Sequence, residues 1–309
     1  MDEFELIRHW FSRPSRDDRV IAGVGDDAAL LAPLPGQQLV MTMDTLVAGR
    51  HFPEDLPAFD VGWRSLAVNL SDLAAMGADP AWCLLSLSLP DADESWLQGF
   101  SEGFFALAEK AGIELVGGDT VRGPLSITVQ ATGQLPEGLA LRRNGARPGD
   151  RICIGGVPGE AAAGLAAWQQ GQRDGVAVNA FCRPEPQLDL GRKLRRAANA
   201  CIDVSDGLLA DLQHILDDSG SLGAELDLTL LPHSAAFEQA SPEQRMAWQL
   251  SGGDDYLLLF TLPAPVLLPQ GCLPLGRVIA RSGITGVTAD GEAVPLASNG
   301  YNHFPRETS

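Results

Sequence analysis

The chain has 309 residues, 45% of them hydrophobic, which is enough for two domains with separate cores. Its formal net charge of −18 excludes the basic surface that nucleic acids and anionic membranes require. No segment is apolar over a bilayer-spanning length, and the N-terminal MDEFELIRHWF lacks the basic start of a secretory signal. The five cysteines are odd in number and form no CxxC pair, so we expect buried thiols in a cytoplasmic protein.

Helical and strand-like patterns alternate along the first half of the chain. Apolar spacing predicts helices over residues 2–12, 60–76 and 93–110, and strands over 19–24, 38–43, 84–89, 113–116 and 125–133. Gly77 is expected to end the second helix in a left-handed conformation, with Pro80 just beyond. This alternation predicts an α/β fold of the α+β type, in which mixed sheets carry helices.

The second half follows a loop, PEGLALRRNGARPGD, that is rich in Gly, Pro and Arg. The predicted domain boundary falls in this loop and gives domains 1–145 and 146–309. Strands are predicted over 151–156, 200–204 and 256–262, and helices over 160–170, 190–199 and 208–218. The glycine turn before the helix at 160 offers free N–H groups that could hold an anion, although a plain turn fits equally well. There is no GxxxxGK[ST] phosphate loop.

Acidic residues recur beside glycine or small residues where apolar runs end. They are Asp26, Asp27, Asp44, Asp119, Asp203, Asp206, Asp254 and Asp255. If each one follows or ends a strand, they collect where open α/β sheets bind their ligands. Two carboxylates at 4 Å repel by about 4 kcal/mol at an effective dielectric constant of ~20, so such a pocket requires cations. Short carboxylates with room for water suit Mg²⁺, which also bridges phosphate oxygens.

Asp72 stands near the apolar face of the helix predicted over residues 60–76. A carboxylate in that position is costly unless a hydrogen-bond donor or a cation compensates it. Two interpretations remain open at this point: an Asp that caps or hydrogen-bonds within the core, and an Asp that binds a cation together with the other carboxylates.

The same residues supply what phosphoryl transfer needs, namely cation ligands, cationic side chains and hydroxyl groups. Arg143 in the central loop could bind a phosphate through two N–H groups, and Thr42 and Ser205 offer hydroxyls. The sequence has no GxSxG elbow and no Cys beside a His, so it indicates no nucleophile. Each residue also has a simpler interpretation: Arg143 as a solvated charge and His51 as a loop histidine.

Seven motifs together resemble the bacterial thiamine-monophosphate kinase family, which belongs to the aminoimidazole ribonucleotide synthetase superfamily. In chain order they are VGDDAALL, MDTLVAGRHF, AVNLSDLAAMGADP, VGGDTVRGPLSIT, IDVSDGLLADL, LSGGDDY and GYNHF. The resemblance spans essentially the whole chain. It implies a homodimer formed through the N-terminal domains, and two α/β domains with the active site in the cleft between them.

The resemblance also implies an activity, transfer of the ATP γ-phosphoryl group to thiamine monophosphate, and a role for each matching residue. Several Mg²⁺ ions would be held by Asp27, Thr42, Asp44, Asp72, Asp119, Asp203 and Asp206. ATP would be bound by Gly118, Asp119, Arg143 and Ser205, with Asp72, Asp119 and Arg143 acting in catalysis. Thiamine monophosphate would contact His51, Asp254 and Tyr301.

Two positions depart from the family pattern. Met43 replaces the Thr that many members have before the aspartate of the DT motif, and Asp254 replaces the Glu of GGED. Two alternatives also stay open. One is another ATP-using member of the superfamily, although its hydrogenase-maturation and selenophosphate-synthesising relatives carry a reactive residue near a terminus, where this chain has no cysteine. The other is a non-catalytic protein that binds Mg²⁺ and nucleotide.

Overall fold

In the computed structural model, which describes residues 3–297, the chain divides into two units, Met1–Ala140 and Leu141–Ser309. This division comes slightly before the boundary predicted at residue 145. Each unit combines a mixed sheet with α-helices, so the predicted fold class is confirmed. No helix within the described range is both long enough and apolar enough to cross a membrane.

The described part of the first unit is built from three α-helices and six strands. The helices are α1 (Glu3–Leu6, continued by a π-helical turn over Ile7–Phe11), α2 (Ala58–Ala75) and α3 (Glu94–Ala111). The strands are β1 (Val20–Ala22), β2 (Leu30–Leu31), β3 (Gln37–Val47), β4 (Asp79–Leu89), β5 (Glu114–Arg122) and β6 (Ser126–Pro136).

Four of these strands form a sheet in the order β3-β6-β4-β5. The pairs β3–β6 and β6–β4 are antiparallel, and β4–β5 is parallel. Helix α2 packs against β3, β6 and β4, and α3 packs on α2, so one face of the sheet is covered. On the other face, large apolar side chains remain exposed: Leu39, Met41 and Met43 on β3, Leu84 on β4 and Val121 on β5.

Local signals place both long helices where the sequence predicts them. Gly77, with φ of 70°, follows the last turn of α2, and the N–H of Ala78 donates to the carbonyl of Leu73 at 2.7 Å. The Asp93 side chain caps α3 by accepting from the N–H groups of Ser95 and Trp96. The helix that carries Asp72 therefore has a fixed end, directly before β4.

Two glycines allow α2 and α3 to approach each other closely. A Cβ added at Gly62 would lie 2.1 Å from the carbonyl oxygen of Phe100, and one at Gly103 would lie 1.9 Å from that of Phe59. Backbone atoms cannot yield as a flexible side chain does, so neither position tolerates a larger residue without separating the helices.

Gly103→Ala is therefore expected to lower the free energy of unfolding by about 3 kcal/mol, because a methyl group must displace the α2 backbone. Chemical denaturation monitored by circular dichroism measures the effect. Gln98→Ala, at an exposed position on the same helix, is the control and should change stability by less than about 0.5 kcal/mol. Equal stability of the Gly103→Ala variant and the parent would mean that the helices do not pack as described.

The second unit contains five α-helices and seven strands within its described residues. The helices are α4 (Glu160–Gln169), α5 (Val176–Cys182), α6 (Leu188–Leu194), α7 (Leu208–Asp218) and α8 (Pro242–Ser251). The strands are β7 (Arg151–Ile154), β8 (Ala200–Asp203), β9 (Gly223–Asp227), β10 (Leu258–Leu262), β11 (Leu273–Ile279), β12 (Gly283–Val287) and β13 (Ala293–Leu296). Short 3₁₀ turns cover Leu228–Leu230 and Ala235–Phe237.

Its strands form one sheet in the order β13-β12-β9-β11-β7-β10-β8. Only the β12–β9 pair is parallel among the described pairs. Helix α7 packs on β8, β9 and β10, and its apolar side chains join theirs in one core. All five cysteines of the chain are buried free thiols, as the sequence predicts.

The structure corrects several predicted elements. The strands predicted over 38–43 and 113–116 extend to Val47 and Arg122, because Gly117 and Gly118 continue β5 instead of ending it. The basic helix predicted over 190–199 ends at Leu194. Strands β9, β11, β12 and β13 were not predicted, since each is short and contains glycine or proline or lacks an apolar run.

Candidate functional site

Helix α2 holds β3 through two polar side chains. Thr42 donates a short hydrogen bond from its hydroxyl to a carboxylate oxygen of Asp72. One turn earlier on the helix, the fully buried Asn69 accepts the N–H of Asp44 at 3.1 Å. Three residues of the predicted Mg²⁺ set, Thr42, Asp44 and Asp72, therefore lie together on the helix-covered side of the sheet.

Asp44 and Asp72 form a like-charged pair in a half-buried setting. Burial, with a smaller contribution from the Asp72 carboxylate, raises the pKa of Asp44 to about 6. The Thr42 hydroxyl partly compensates Asp72, which agrees with the core-bonding interpretation, but it leaves the repulsion between the two carboxylates. Hard oxygen ligands of this kind fit Mg²⁺, so the geometry is compatible with both interpretations of Asp72, and cation binding stays a prediction.

This pair predicts a pH dependence of stability in the metal-free protein. The pKa of Asp44 is higher in the folded chain than in the unfolded chain, so the folded state binds more protons between about pH 4 and pH 6 and loses stability as the pH rises through that window. Asp44→Asn should remove about 1 kcal/mol of this loss, after allowance for partial exposure. Thermal melts in chelator across that range measure it, and an unchanged pH slope in the variant would contradict it.

Asp119 and Gly118 lie on β5, at the opposite edge of the same sheet from β3. Across the sheet from β5 to β3, the residues aligned with Asp119 are Ser86, Thr128 and Thr45. The residues aligned with Gly118 are Leu85, Val129 and Asp44. Three strand spacings of ~4.8 Å place the edge strands about 14 Å apart. Asp119 is exposed and lies on the open face. Within one copy, the structure does not bring it to Asp44 and Asp72.

The expectation that every candidate carboxylate follows or ends a strand is wrong for several of them. Asp44 and Asp119 lie inside long strands, whereas Asp72, which was not part of that expectation, lies in a helix as the sequence predicts. Gly118 is required within β5 because a Cβ there would lie 1.8 Å from the carbonyl oxygen of Leu85 on β4. Gly118 therefore serves close strand packing as well as any approach to a ligand.

Asp27 is exposed in the turn between β1 and β2, where Asp26 accepts its N–H at 2.8 Å. A cavity of about 790 Å³ lies beside this turn and beside β5. Its lining includes residues 20–24, which precede Gly25-Asp26-Asp27, and residues 113–116, which precede Gly117-Gly118-Asp119. Two predicted phosphate and metal motifs thus begin at the wall of one cavity, with Phe105 of α3 also in its lining.

His51 lies in the turn after β3, where its Nδ1 accepts the N–H of Val47 at 3.0 Å. That bond places any proton of the neutral ring on Nε2. Met43 lies on the open face of the sheet and is 66% exposed. Because neighbouring residues on a strand face opposite sides, a hydroxyl at position 43 would point away from the Asp44–Asp72 pair.

In the second unit, the end of β8 and the loop after it carry three of the predicted residues. Asp203 ends β8 and is buried, and Ser205 and Asp206 both donate their N–H groups to Asp211 Oδ2 at 3.0 Å. Burial raises the pKa of Asp211 to about 7. Asp206, Asp211 and His214 also lie close enough to share one cation, with ligand atoms within 4.8 Å of one another.

Asp254 follows α8 instead of a strand, in the segment that connects this helix to β10. Its N–H donates to the carbonyl of Ser205 at 2.9 Å, and its carboxylate accepts the Tyr256 hydroxyl at 3.1 Å. The predicted substrate residue is therefore hydrogen-bonded to the loop that carries the predicted metal and ATP residues.

The N–H groups at the start of α4 are occupied by the chain itself. Asp255 accepts the N–H of Gly159 at 2.6 Å and that of Ala161 at 3.1 Å. Burial raises the pKa of Asp255 to about 7 despite these bonds. The predicted anion site at this glycine turn is thus filled by an internal carboxylate, so the turn has a structural role.

The remaining predicted residues are Arg143 and Tyr301. Arg143 is exposed near the start of the second unit, where its carbonyl accepts the Ser219 hydroxyl at 3.3 Å. Tyr301 lies outside the described residues.

Sequence reasoning did not single out Asn69, Asp211 or Tyr256, and it grouped Asp255 with the candidate ligands although its carboxylate binds the start of α4. Asp211 follows Asp206 by five residues inside SDGLLAD, a spacing that lets a first-turn side chain bond back to the loop, and this signal was available. Asn69, in the middle of an apolar helical face, carried a similar signal, since a buried amide requires partners.

Comparisons with known proteins identify the family. Residues 25–135 match the family described as AIR synthase related protein, N-terminal domain. The thiamine-monophosphate kinase of Escherichia coli (strain K12) is 47% identical over 323 aligned positions, which cover 98% of both chains. This chain belongs to the thiamine-monophosphate kinase family.

Solved structures of thiamine-monophosphate kinases share the fold. The crystal structure of the kinase from Stenotrophomonas maltophilia K279a matches with a TM-score of 0.83 and 46% identity, over 90% of this chain and 93% of that one. A structure described as AaThiL complexed with AMPPCP and TMP matches with a TM-score of 0.80 and 30% identity, over 88% of this chain and 89% of that one.

Proposed function

We propose that this chain is an ATP-dependent phosphotransferase that converts thiamine monophosphate and ATP to thiamine diphosphate and ADP. The observation that carries the proposal is full-length similarity to thiamine-monophosphate kinases, joined to a related structure described with AMPPCP and TMP. The carboxylates, the Arg143 side chain and the hydroxyls of Thr42 and Ser205 supply the groups that phosphoryl transfer needs.

The cavity beside β5 suits the base of ATP. It has an apolar wall that includes Phe105, Ile113 and Val116, and polar groups that include Glu102 and Arg13. The cavity is lined by residues 20–24 and 113–116, which directly precede the two acidic glycine motifs. A base bound in the cavity would therefore direct the phosphates toward Asp27, Gly118 and Asp119. The exposed N–H groups and carboxylates there would then meet the triphosphate and its cations.

The carboxylate set offers the hard oxygen ligands that Mg²⁺ prefers, and Asp44 lies close enough to Asp72 for the two charges to interact. The candidate ligands are Asp27, Thr42, Asp44, Asp72, Asp119, Asp203 and Asp206. When bound, Mg²⁺ offsets the charge of the phosphate oxygens on both substrates. Asp72 and Asp44 would be held in place for this by the Thr42 hydroxyl and by Asn69.

We infer a direct in-line transfer without a phosphoenzyme. A phosphate monoester with a second pKa of about 6 is largely a dianion at pH 7, so its oxygen needs no general base. Arg143 would bind phosphate oxygens of ATP, while His51, Asp254 and Tyr301 would orient thiamine monophosphate. An acid-stable phosphorylated side chain formed from labelled ATP during turnover would contradict this mechanism.

We propose that the active form is a homodimer joined through the first unit. The open face of its sheet carries five large exposed apolar residues, and a monomer rarely leaves such a face uncovered. A two-fold pair of these sheets would also bring together carboxylates that are far apart within one copy, namely Asp119 and the Asp44–Asp72 pair. Asp44 and Asp72 lie on the helix-covered side and Asp119 lies on the open face, so they can meet only around the free edge of β3. Since β5 is the opposite edge of the sheet, a two-fold pair that sets a partner's β5 beside that free edge would bring Asp119 of one copy to Asp44 and Asp72 of the other.

The function is tested by mixing the protein with ATP, Mg²⁺ and thiamine monophosphate and measuring ADP. We expect ADP release that requires thiamine monophosphate and stops when a chelator removes Mg²⁺. ADP release at the same rate without thiamine monophosphate would contradict the kinase assignment. Absence of ADP release with binding of both nucleotide and Mg²⁺ would favour the non-catalytic alternative.

A further inference from the structure

The segment Gly253–Tyr256 adopts a backbone conformation that is rare for residues with a side chain. Asp254 has φ of 69° and Tyr256 has φ of 52°, both in the left-handed region. Each such residue costs about 1 to 3 kcal/mol and persists only where its surroundings hold it. The chain therefore maintains an unfavourable turn at the position of a predicted substrate residue.

Hydrogen bonds and close packing hold this turn against the loop after β8. The N–H of Asp254 donates to the carbonyl of Ser205 at 2.9 Å, and the N–H of Tyr256 donates to the carbonyl of Val204 at 2.8 Å. A Cβ at Gly253 would lie 2.5 Å from the Ser205 carbonyl oxygen, so the two segments are in direct backbone contact. The position of the turn is thus coupled to that of the predicted metal and ATP residues.

Within the turn, the two aspartates point to different partners. The Asp255 carboxylate accepts N–H groups at the start of α4, whereas the Asp254 carboxylate accepts the Tyr256 hydroxyl at 3.1 Å. Tyr256 is only 8% exposed, so its ring is fixed by packing and its hydroxyl has a defined position. A fixed donor on one carboxylate oxygen restricts rotation of the Asp254 side chain.

We propose that Tyr256 is a positioning residue for substrate recognition: its buried hydroxyl holds the Asp254 carboxylate in the orientation that meets the cationic part of thiamine monophosphate. This inference rests on the proposed function, in which Asp254 contacts that substrate. The left-handed turn brings the hydroxyl and the carboxylate together. Its backbone hydrogen bonds to Val204 and Ser205 fix this pair relative to the loop after β8, which carries the predicted metal and ATP residues.

The test is Tyr256→Phe, which keeps the ring and removes the hydroxyl. We expect KM for thiamine monophosphate to rise about fivefold, while kcat and KM for ATP change by less than about twofold. Thr229→Val is the matched control, since its hydroxyl also donates to the carboxylate of the residue two positions earlier, Asp227, at 2.6 Å. That variant should leave all three parameters unchanged.

A second comparison separates positioning from general packing. In an Asp254→Ala background, Tyr256→Phe should have no further effect on KM for thiamine monophosphate, because no carboxylate remains to orient. A wild-type KM in the single variant, an equal rise in KM for both substrates, or the same fivefold effect without Asp254 would each overturn the proposal. Failure of the proposed function itself would appear separately, as a parent protein that releases no ADP in response to thiamine monophosphate.

Discussion

Asp72→Asn is expected to lower kcat by about a thousandfold or more, equivalent to about 4 kcal/mol of transition-state stabilisation, and to leave the metal-free protein at least as stable as the parent. The amide keeps the shape of the side chain, and its oxygen can still accept the Thr42 hydroxyl. It removes the charge that contributes to raising the pKa of Asp44, so the repulsion in the metal-free pair disappears. Steady-state rates and thermal melts in chelator measure the two effects.

Magnesium supplies the matching control for Asp72→Asn. Mg²⁺ should raise the melting temperature of the parent, because it binds the folded state preferentially, and should raise that of the variant less. A purely structural Asp72 gives the opposite result: loss of the charge would weaken the hydrogen bonds that the carboxylate accepts, at a cost of about 1 to 3 kcal/mol with or without metal. Equal destabilisation in chelator and in excess Mg²⁺ would therefore contradict a cation-binding role for Asp72.

Asp119→Asn should cause a similar thousandfold loss, about 4 kcal/mol, but a hybrid dimer of the two variants should regain activity. If Asp119 of one copy completes the site at Asp44 and Asp72 of the other, a dimer of one Asp72→Asn chain and one Asp119→Asn chain contains one intact site and one doubly altered site. Such a hybrid, isolated by two different affinity tags after co-expression, should have about half the activity of the parent dimer.

The control is a dimer prepared with the same two tags in which both chains carry Asp72→Asn, and it should stay inactive. An Asp72→Asn/Asp119→Asn hybrid as inactive as either homodimer would show that each site is complete within one copy. The edge positions of β3 and β5, about 14 Å apart at ~4.8 Å per strand spacing, make the shared site the expected outcome.

Much of the helical part of the fold could be predicted because its signals are local. Gly77 ends α2, Asp93 caps α3, and the apolar spacing of α2 places Asp72 beside the core. The association of Asp72 with other candidate residues followed from an energetic argument, since an acidic side chain at such a position needs a partner. The structure supplies Thr42 and Asp44 as its neighbours.

The remaining features depend on pairing between distant segments and leave no local signal. Gly117 and Gly118 suggest a strand end, yet they continue β5 because the β4 backbone lies close beside them. Asp254 and Asp255 are identical neighbours in sequence, but one binds the start of α4 and the other binds Tyr256. Only the register of the folded chain separates a structural carboxylate from a candidate ligand.

The most direct test of the kinase assignment is the fate of the ATP γ-phosphoryl group. The purified protein is incubated with γ-labelled ATP, Mg²⁺ and thiamine monophosphate, and the labelled products are separated and quantified together with ADP. We predict that the label appears in thiamine diphosphate in a one-to-one ratio with ADP. Label recovered only as inorganic phosphate, or left in ATP while thiamine monophosphate is unchanged, would contradict it.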